Sequence, residues 1–214
     1  MSPPPPASGP AESAAGSRTS RIMVAASRLV LEHGYGATSM DAVARAAGVS
    51  KATLYAHFTS KADLFAAIVA SECARVVPAL AGPDIDALPV TEALERMGRN
   101  FLDLVLSANA LGVFRVVVAE TSRFPELGRA FYRSGPERTL AMLSDYLERA
   151  DRRGLLAVPD PLAAAELLWG MIRSHFHLRC LLGVDSEAPD AAERDLHVRR
   201  AVSLFVRGHG MRES

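Results

Sequence analysis

The chain has 214 residues, of which 49% are hydrophobic and 22% are charged. Its length suits one large domain or two small ones, and its composition is typical of water-soluble globular proteins. Basic and acidic side chains number 24 each, so the net charge of zero gives no whole-chain argument for a nucleic-acid partner. No apolar run reaches the roughly 18 residues of a membrane span, and the N-terminus lacks the pattern of a secretory signal.

Charge and cysteine placement add two weaker indications. Residues 1–82 carry seven basic and five acidic side chains, an excess of two positive charges, which is the sign expected of a part that meets phosphate. The only two lysines are Lys51 and Lys61. The two cysteines, Cys73 and Cys180, are far apart and outside any C-x-x-C pattern, which favours reduced thiols and a cytoplasmic protein.

The first 17 residues are mainly proline, alanine, serine and glycine. Such a segment cannot bury enough apolar surface to offset its ordering entropy, so we predict a disordered tail over 1–17. Alternatively, this segment is a disordered arm that contacts DNA. A break at Gly82-Pro83 divides the rest into a domain over 18–82 and a larger one over 83–214.

Helical periodicity in the N-terminal domain predicts a first helix that ends near Gly34. Thr38 or Ser39 can cap a short second helix, and Ser50 can cap a short third one. The segment 60–63 resembles a capping box at the start of a long fourth helix. These signals are those of a compact helical domain.

The remainder predicts four or five further helices. They span about 90–108, about 110–121, from Pro125 to Gly154, from Pro161 to Gly183, and about 190–208. The valine-rich segment 113–119 has the composition of a buried strand, but the sequence offers no partner strand. The sequence therefore predicts an all-α protein of about nine helices.

The segment from Thr38 to Lys61 has the spacing of a helix-turn-helix, whose second helix enters the major groove of DNA. Gly48 permits the positive φ that a tight turn between two helices needs. The exposed face of the second helix is predicted to carry hydroxyl, cationic, aromatic and small side chains, which suit phosphates and base edges. They are Ser50, Lys51, Ala52, Thr53, Tyr55, Ala56 and His57. A helical hairpin with a merely solvated face is the alternative.

Residues 18–70 resemble the DNA-binding domain of the TetR/AcrR family of bacterial regulators. The resemblance is carried by the stretches GYGATSM (34–40), VARAAGVSK (43–51), LYAHF (54–58) and SKADLF (60–65). It implies phosphate contacts from Thr38, Ser39, Tyr55, His57 and Lys61, and groove contacts from Lys51, Ala52 and Thr53. Ala56 departs from the bulkier residue that often stands between the tyrosine and the histidine.

The resemblance also implies a homodimer, a palindromic operator, and release of DNA when a small molecule enters the C-terminal domain, with repression as the default. Two copies on a two-fold axis double the few contacts of one short helix and set the half-sites about one DNA turn, ~34 Å, apart. Apolar stripes on the last two helices are interface candidates: Leu167, Phe176, Cys180, Val198, Val202 and Phe205. The alternative is that they complete the core of one chain.

A mostly apolar cavity with a few polar groups is typical of small-molecule sites. Candidate lining residues are Phe101, Phe114, Arg115, Phe131, Met142, Trp169, Arg173 and His177, although such residues are often simply core. The ligand is not identifiable beyond an apolar or amphipathic compound. We expect no cofactor and no metal, because side chains two positions apart on a helix, such as His175 and His177, point about 200° apart.

Two other functions are weighed against a DNA-binding regulator. An enzyme of helical fold would need a catalytic constellation, and we find none in the sequence, including no nucleophile-elbow pattern. A helical module that holds a protein would bind with little sensitivity to salt, whereas phosphate-driven DNA binding weakens steeply as salt rises. We therefore expect DNA, a second copy of the chain and a small molecule as partners, and no membrane.

Overall fold

The structure is a computed structural model that describes residues 10–80, 84–184 and 189–210, without the side chains of 10–17 and 72–80. These ranges contain ten α-helices, one 3-10 helix (Ile85–Ala87) and no strand, which confirms the all-α prediction. The helices are α1 (Pro10–Ala37), α2 (Met40–Ala47), α3 (Lys51–His57), α4 (Lys61–Leu80), α5 (Val90–Leu106), α6 (Ala108–Glu120), α7 (Pro125–Ser134), α8 (Pro136–Arg152), α9 (Pro161–Leu182) and α10 (Ala191–Gly208).

Two differences from the predicted helices have local causes. α1 begins at Pro10, inside the tail that we predicted to be disordered, because alanine favours helix and proline suits a first turn. Residues 1–9 of that tail lie outside the described residues. The helix predicted from Pro125 to Gly154 is divided at Pro136, which lacks an N–H and pushes the preceding residue out of helical geometry.

The chain forms two compact units, and each is described by itself. The first unit comprises residues 1–69 and 116–131, and the second comprises 70–115 and 132–214. This division differs from our predicted boundary at residue 82. The difference arises because 116–131 groups with the N-terminal helices, a long-range contact that helical periodicity cannot reveal.

In the first unit, α1 to α4 enclose a small apolar core in which Ile22, Val43 and Leu54 are fully buried. Gly48 joins α2 to α3 in the left-handed conformation (φ 64°, ψ 39°), and its N–H reaches the carbonyls of Ala44 and Arg45. The predicted turn of the helix-turn-helix is therefore present. The short helices stand where the sequence predicted them.

Serine side chains cap both short helices. Ser39 Oγ accepts a hydrogen bond from the N–H of Ala42 at 3.1 Å, and Ser50 Oγ accepts one from the N–H of Thr53 at 3.0 Å. These bonds satisfy N–H groups that the first turn of a helix leaves unpaired. The capping predictions for Ser39 and Ser50 are confirmed.

In the second unit, α5, α8, α9 and α10 pack around a larger core. α5 lies so close to its neighbours at Gly98 that a Cβ atom there would be 2.8 Å from Val198 Cγ1 and 2.9 Å from Ile172 Cδ1. α9 is interrupted at Ser174, which has φ 33° and ψ −142°. His197 Nε2 donates to the carbonyl of Ile172 at 2.9 Å, next to this interruption.

This packing corrects most of the predicted dimer interface. Val198, Val202, Phe205 and Cys180 are all buried in the core of the single chain, so they complete its interior instead of meeting a partner. Phe176 is partly buried against the same core, and its ring lies edge-on to that of His197. Of the six predicted interface residues, only Leu167 is strongly exposed.

Two further features concern the described residues. Within 10–80, 84–184 and 189–210, no single helix is long and apolar enough to span a membrane, and α5 with α6 meets that criterion only as a pair bent by 61°. Cys180 is buried, whereas the side chain of Cys73 lies outside the described residues.

Candidate DNA-binding site

The exposed face of α3 carries most of the side chains that the sequence singled out. Lys51, Ala52, Tyr55, Ala56 and His57 are exposed on α3, next to its exposed cap Ser50. Thr53 is half-buried, and its hydroxyl lies 2.8 Å from Ser50 Oγ. Hydroxyl, cationic and aromatic groups, together with the small Ala52 and Ala56, are thus collected on one short helix, beside the positively polarised N-terminal ends of α2 and α3.

Lys51 is held by an acidic neighbour on α2. Its Nζ lies 2.9 Å from Asp41 Oδ1 and 3.1 Å from Asp41 Oδ2, and this hydrogen bond is the main cause that raises the pKa of Lys51 above its ordinary value. Both side chains are more than half exposed, so the pair contributes little to stability. The ammonium is therefore charged and at the surface, but it is shared with a carboxylate.

Thr38 does not offer its hydroxyl to solvent. The residue is buried, and Oγ1 donates to the carbonyl of Gly34 at 2.9 Å. This geometry corrects the expectation of a phosphate contact from Thr38, since the side chain closes the turn between α1 and α2. Ser39, the next residue, is exposed.

Lys61 also points into the protein. Its Nζ donates to the carbonyls of Tyr35 at 2.6 Å and Thr38 at 2.9 Å, and it lies 4.2 Å from the centre of the Tyr35 ring. The expected phosphate contact from Lys61 is thus replaced in the structure by contacts with the turn that precedes α2. Burial lowers the pKa of Lys61, against the opposing effect of the Glu120 carboxylate.

Sequence reasoning missed Glu120, at the end of α6. Its Oε1 accepts a hydrogen bond from the N–H of Gly36 at 3.1 Å, across 84 positions of sequence. Residues 116–131 belong to the same unit as the helix-turn-helix, so this contact is internal to that unit. Nothing local around Glu120 in the sequence indicates such a partner, and only an observed contact could have found it.

The residues predicted to line a ligand pocket are brought together only in part. Phe101 and Trp169 are buried in the second unit with their rings stacked 4.1 Å apart, and Trp169 Nε1 donates to the carbonyl of Thr139. Phe114 lies edge-on to His177, with ring centres 5.2 Å apart. Burial is the main cause that lowers the pKa of His177, and the charge of Arg173 adds to it.

The other predicted pocket residues are placed differently. Arg115 is exposed and donates to the carbonyls of Cys180 at 2.7 Å and Leu181 at 2.9 Å. It therefore binds the last turn of α9 and does not line a cavity. Arg173 is exposed, and Phe131 belongs to the other unit. Met142 packs against the core of the second unit. Within the described part of the chain, no cluster of three or more His, Cys, Asp or Glu side chains is arranged to hold a metal ion.

Comparison with known proteins assigns this architecture to a family. Residues 22–68 match the sequence profile described as bacterial regulatory proteins of the tetR family. Residues 92–210 match the profile described as the C-terminal domain of AefR-like transcriptional repressors. The chain belongs to the TetR family of DNA-binding transcriptional regulators.

Individual relatives agree with this assignment. A TetR-family regulator from Mesorhizobium loti superposes with a TM-score of 0.79 at 30% identity, over 92% of this chain and 98% of the other. The flavonoid-responsive regulator FrrA has a TM-score of 0.79 at 35% identity, over 93% and 100%. An uncharacterized HTH-type regulator of Mycobacterium tuberculosis is 28% identical over 77% of each chain. These relatives are regulators and not enzymes, so the predicted non-enzymatic function is confirmed.

Proposed function

We propose that this protein is a homodimeric repressor that binds a palindromic operator through α3 and leaves it when a small molecule binds the second unit. The observation that carries the proposal is the exposed face of α3, which presents Lys51, Tyr55 and His57 in the segment that matches the family. A repressor role is favoured by the description of the profile that matches residues 92–210. The protein acts in the cytoplasm, where a bacterial operator is accessible.

The proposed DNA contacts divide into two kinds. Phosphates are bound by Ser39 at the start of α2 and by Tyr55 and His57 on α3, because hydroxyl and ring N–H groups are common phosphate donors. Base edges are read by the N-terminal half of α3, where the small Ala52 permits close approach. The contacting groups there are Ser50, Lys51, Ala52 and Thr53.

DNA binding is tested by selecting duplexes from a random pool with the purified protein and measuring affinity by fluorescence anisotropy. We expect a two-fold symmetric consensus and an affinity that falls steeply between low and high salt. The variant Thr53→Ala should change the selected consensus, whereas Tyr55→Phe should weaken specific and random DNA alike. Failure to select any duplex, with no measurable affinity for DNA at low salt, would instead favour a protein partner.

The dimer is proposed to form through the exposed faces of the last two long helices. Leu167, Leu178 and Leu182 on α9, and Leu204 on α10, are 54–68% exposed in the single chain. Strongly exposed leucines on two helices that pack against each other favour an interface with another molecule. A palindromic operator requires two copies, which makes a second copy of this chain the occupant.

Sedimentation of variants tests this interface. Leu178→Arg places a charge among the exposed leucines and should convert the dimer to a monomer with weaker operator binding. Val118→Arg is the matched control, because Val118 is 61% exposed but belongs to the other unit. Dimers that persist in Leu178→Arg and dissociate in Val118→Arg would refute the proposed interface.

The effector is proposed to be a planar aromatic compound that binds beside α5, α6 and α9. The stacked pair Phe101 and Trp169 and the edge-on pair Phe114 and His177 supply aromatic surface and a titratable ring within one unit. Aromatic rings favour stacked and edge-to-face partners. The 35% identical relative FrrA is described as flavonoid-responsive, which supports this ligand class.

Trp169 is the only tryptophan of the chain, so its fluorescence reports this region directly. Titration with a panel of flavonoids should quench or shift its emission and release the operator over the same concentration range. Because coupling is reciprocal, bound operator should weaken flavonoid binding by the same factor. Operator release by a compound that leaves Trp169 emission unchanged would place the effector elsewhere.

A further inference from the structure

The turn between α1 and α2 is held by side chains from two distant helices. α1 is interrupted at Gly34 (φ 80°, ψ 161°), and the turn comprises residues 34–38, from this interruption to the residue before Ser39, the cap of α2. Lys61, the first residue of α4, places Nζ 2.6 Å from the carbonyl oxygen of Tyr35, 2.9 Å from that of Thr38 and 3.5 Å from that of Gly36. One ammonium group thus binds three carbonyl groups of a single turn, those of Tyr35, Gly36 and Thr38.

Glu120 holds the same turn from α6. Its carboxylate accepts the Gly36 N–H at 3.1 Å. A Cβ atom on Gly34 would lie 3.1 Å from Glu120 Oε1, and one on Gly36 would lie 3.3 Å from Glu120 Oε2. The carboxylate can approach the backbone this closely because both residues are glycine. The Gly34 backbone is also left-handed (φ 80°), which favours glycine there.

Aromatic rings complete the surroundings of the ammonium. The Lys61 Nζ lies 4.2 Å from the ring centre of Tyr35 and 5.5 Å from that of Phe124. Tyr35 is buried, with its ring edge-on to Phe65 and Phe124. A cation between two rings gains from their negative faces, and more so when it is shielded from water.

The donor count leaves this ammonium no free hydrogen for DNA. A lysine has three N–H donors and no acceptor. Two short hydrogen bonds and one long one to the turn occupy all three. To reach a phosphate, Lys61 would have to abandon carbonyl groups of Tyr35 and Thr38 and leave its place beside the rings.

We propose that Lys61 and Glu120 are positioning residues that act on DNA affinity by fixing the turn 34–38 from inside the protein, without touching DNA. The ammonium binds the carbonyl oxygens of the turn and the carboxylate binds its central N–H, so both polar faces of the turn are fixed. The position of this turn determines the positions of Ser39 and of the first N–H groups of α2. This inference rests on the proposed use of α2 and α3 to bind DNA.

The first test uses the protein without DNA. Because Lys51 and Lys61 are the only lysines, protein labelled with ¹³C at lysine Cε gives two side-chain signals, which Lys51→Arg assigns. We expect the Lys61 signal to titrate at lower pH than the Lys51 signal, and its ammonium protons to exchange slowly with water. A Lys61 signal that titrates with or above Lys51, with rapidly exchanging protons, would overturn the clamp.

The second test measures operator affinity as a function of salt for Lys61→Met and Glu120→Ala. Each variant leaves polar groups of the turn unpaired, and we expect each to lose roughly tenfold in operator affinity. The slope of log affinity against log salt should stay at the wild-type value, because no phosphate contact is lost. The double variant should lose less than the product of the two single losses, since both groups hold one turn.

Glu32→Ala is the matched control, since Glu32 is an exposed carboxylate on α1 that pairs with Arg28 and should be replaceable without loss of affinity. A slope for Lys61→Met that falls by about 0.9 per lost contact would show a phosphate ligand and overturn the proposal. Wild-type affinity in Glu120→Ala would overturn the role of Glu120. If the wild-type protein bound no DNA at all, the proposed function would fail, while the lysine signals would still decide whether the clamp exists.

Discussion

At Gly48 the chain passes from α2 to α3 with φ 64° and ψ 39°, and nothing lies within 4 Å of where a Cβ atom would stand. The cost of a side chain there is therefore conformational and not steric. We predict that Gly48→Ala lowers the free energy of unfolding by about 1–2 kcal/mol. Gly48→Asn should recover part of this loss, because asparagine tolerates the left-handed region. Denaturant unfolding checks both, and equal stability of Gly48→Ala and wild type would contradict the account.

The carboxylate of Asp41 shares the Lys51 ammonium and stands near the start of α2, where DNA phosphates would approach. We predict that Asp41→Asn raises affinity for random DNA by about three- to tenfold, since it removes one exposed negative charge and frees Lys51. Operator selectivity should fall, because affinity gained through phosphates is independent of sequence. Anisotropy with operator and random duplexes measures both, and Glu32→Gln, an exposed acid on α1, serves as the control.

Several residue roles could be predicted from the sequence because they depend on neighbours along the chain. The caps Ser39 and Ser50 and the turn at Gly48 are of this kind, since a cap needs only the N–H groups two or three positions later. The role of Lys61 could not be predicted in this way. Its position at the start of α4 is compatible with a phosphate contact. Only the fold reveals that its ammonium donates a hydrogen bond to the carbonyl of Tyr35.

At the scale of helices, the crossing of α5 with α9 and α10 depends on the absence of a side chain at Gly98. We predict that Gly98→Ala lowers the free energy of unfolding by about 1–3 kcal/mol, because a Cβ atom would stand within 2.9 Å of Val198 and Ile172. Adding Val198→Ala should give a smaller loss than the sum of the two single losses, because the second change makes room for the first. Denaturant unfolding at one protein concentration measures this, and strict additivity would argue against the close crossing.

Periodicity was enough to predict most of the helices. The predictions failed at one local break and at one long-range contact. The break at Pro136 was missed although the dipeptide Gly135-Pro136 signals a turn, because the helical patterns on either side of it were interpreted as one helix. The apolar stripe on α10 was correctly predicted, but the surface against which it packs was not. A stripe shows that a helix face is buried, yet Val198, Val202 and Phe205 face their own chain and not a second copy.

At the scale of the whole molecule, His177 links stability to pH. Burial, with the charge of Arg173, lowers its pKa from 6.5, so the unfolded chain binds this proton more readily than the folded one. The free energy of unfolding should therefore decrease as the pH falls below about 6.5. The decrease should end once the pH is below the pKa of His177 in the folded protein. His177→Gln should flatten this decrease. An identical pH profile for His177→Gln and wild type would contradict this assignment.

The organisation of the whole chain was only partly predictable. The all-α class and the helix-turn-helix followed from local patterns, whereas the membership of 116–131 in the first unit depends on contacts such as the one from Glu120 to Gly36. The proposed effector region likewise needed the structure, because the sequence placed Arg115 and Phe131 in it and the fold does not.

Hydroxyl-radical footprinting of the purified protein on the DNA that flanks its own gene is the sharpest test of DNA binding through α3. We expect two protected patches related by a dyad and separated by about one helical turn, ~34 Å, or a multiple of it, as two copies of α3 would leave. Lys51→Ala combined with Tyr55→Ala should abolish both patches together while the protein stays folded. Protection that survives this double change, or a single patch without a dyad, would contradict binding through the exposed face of α3.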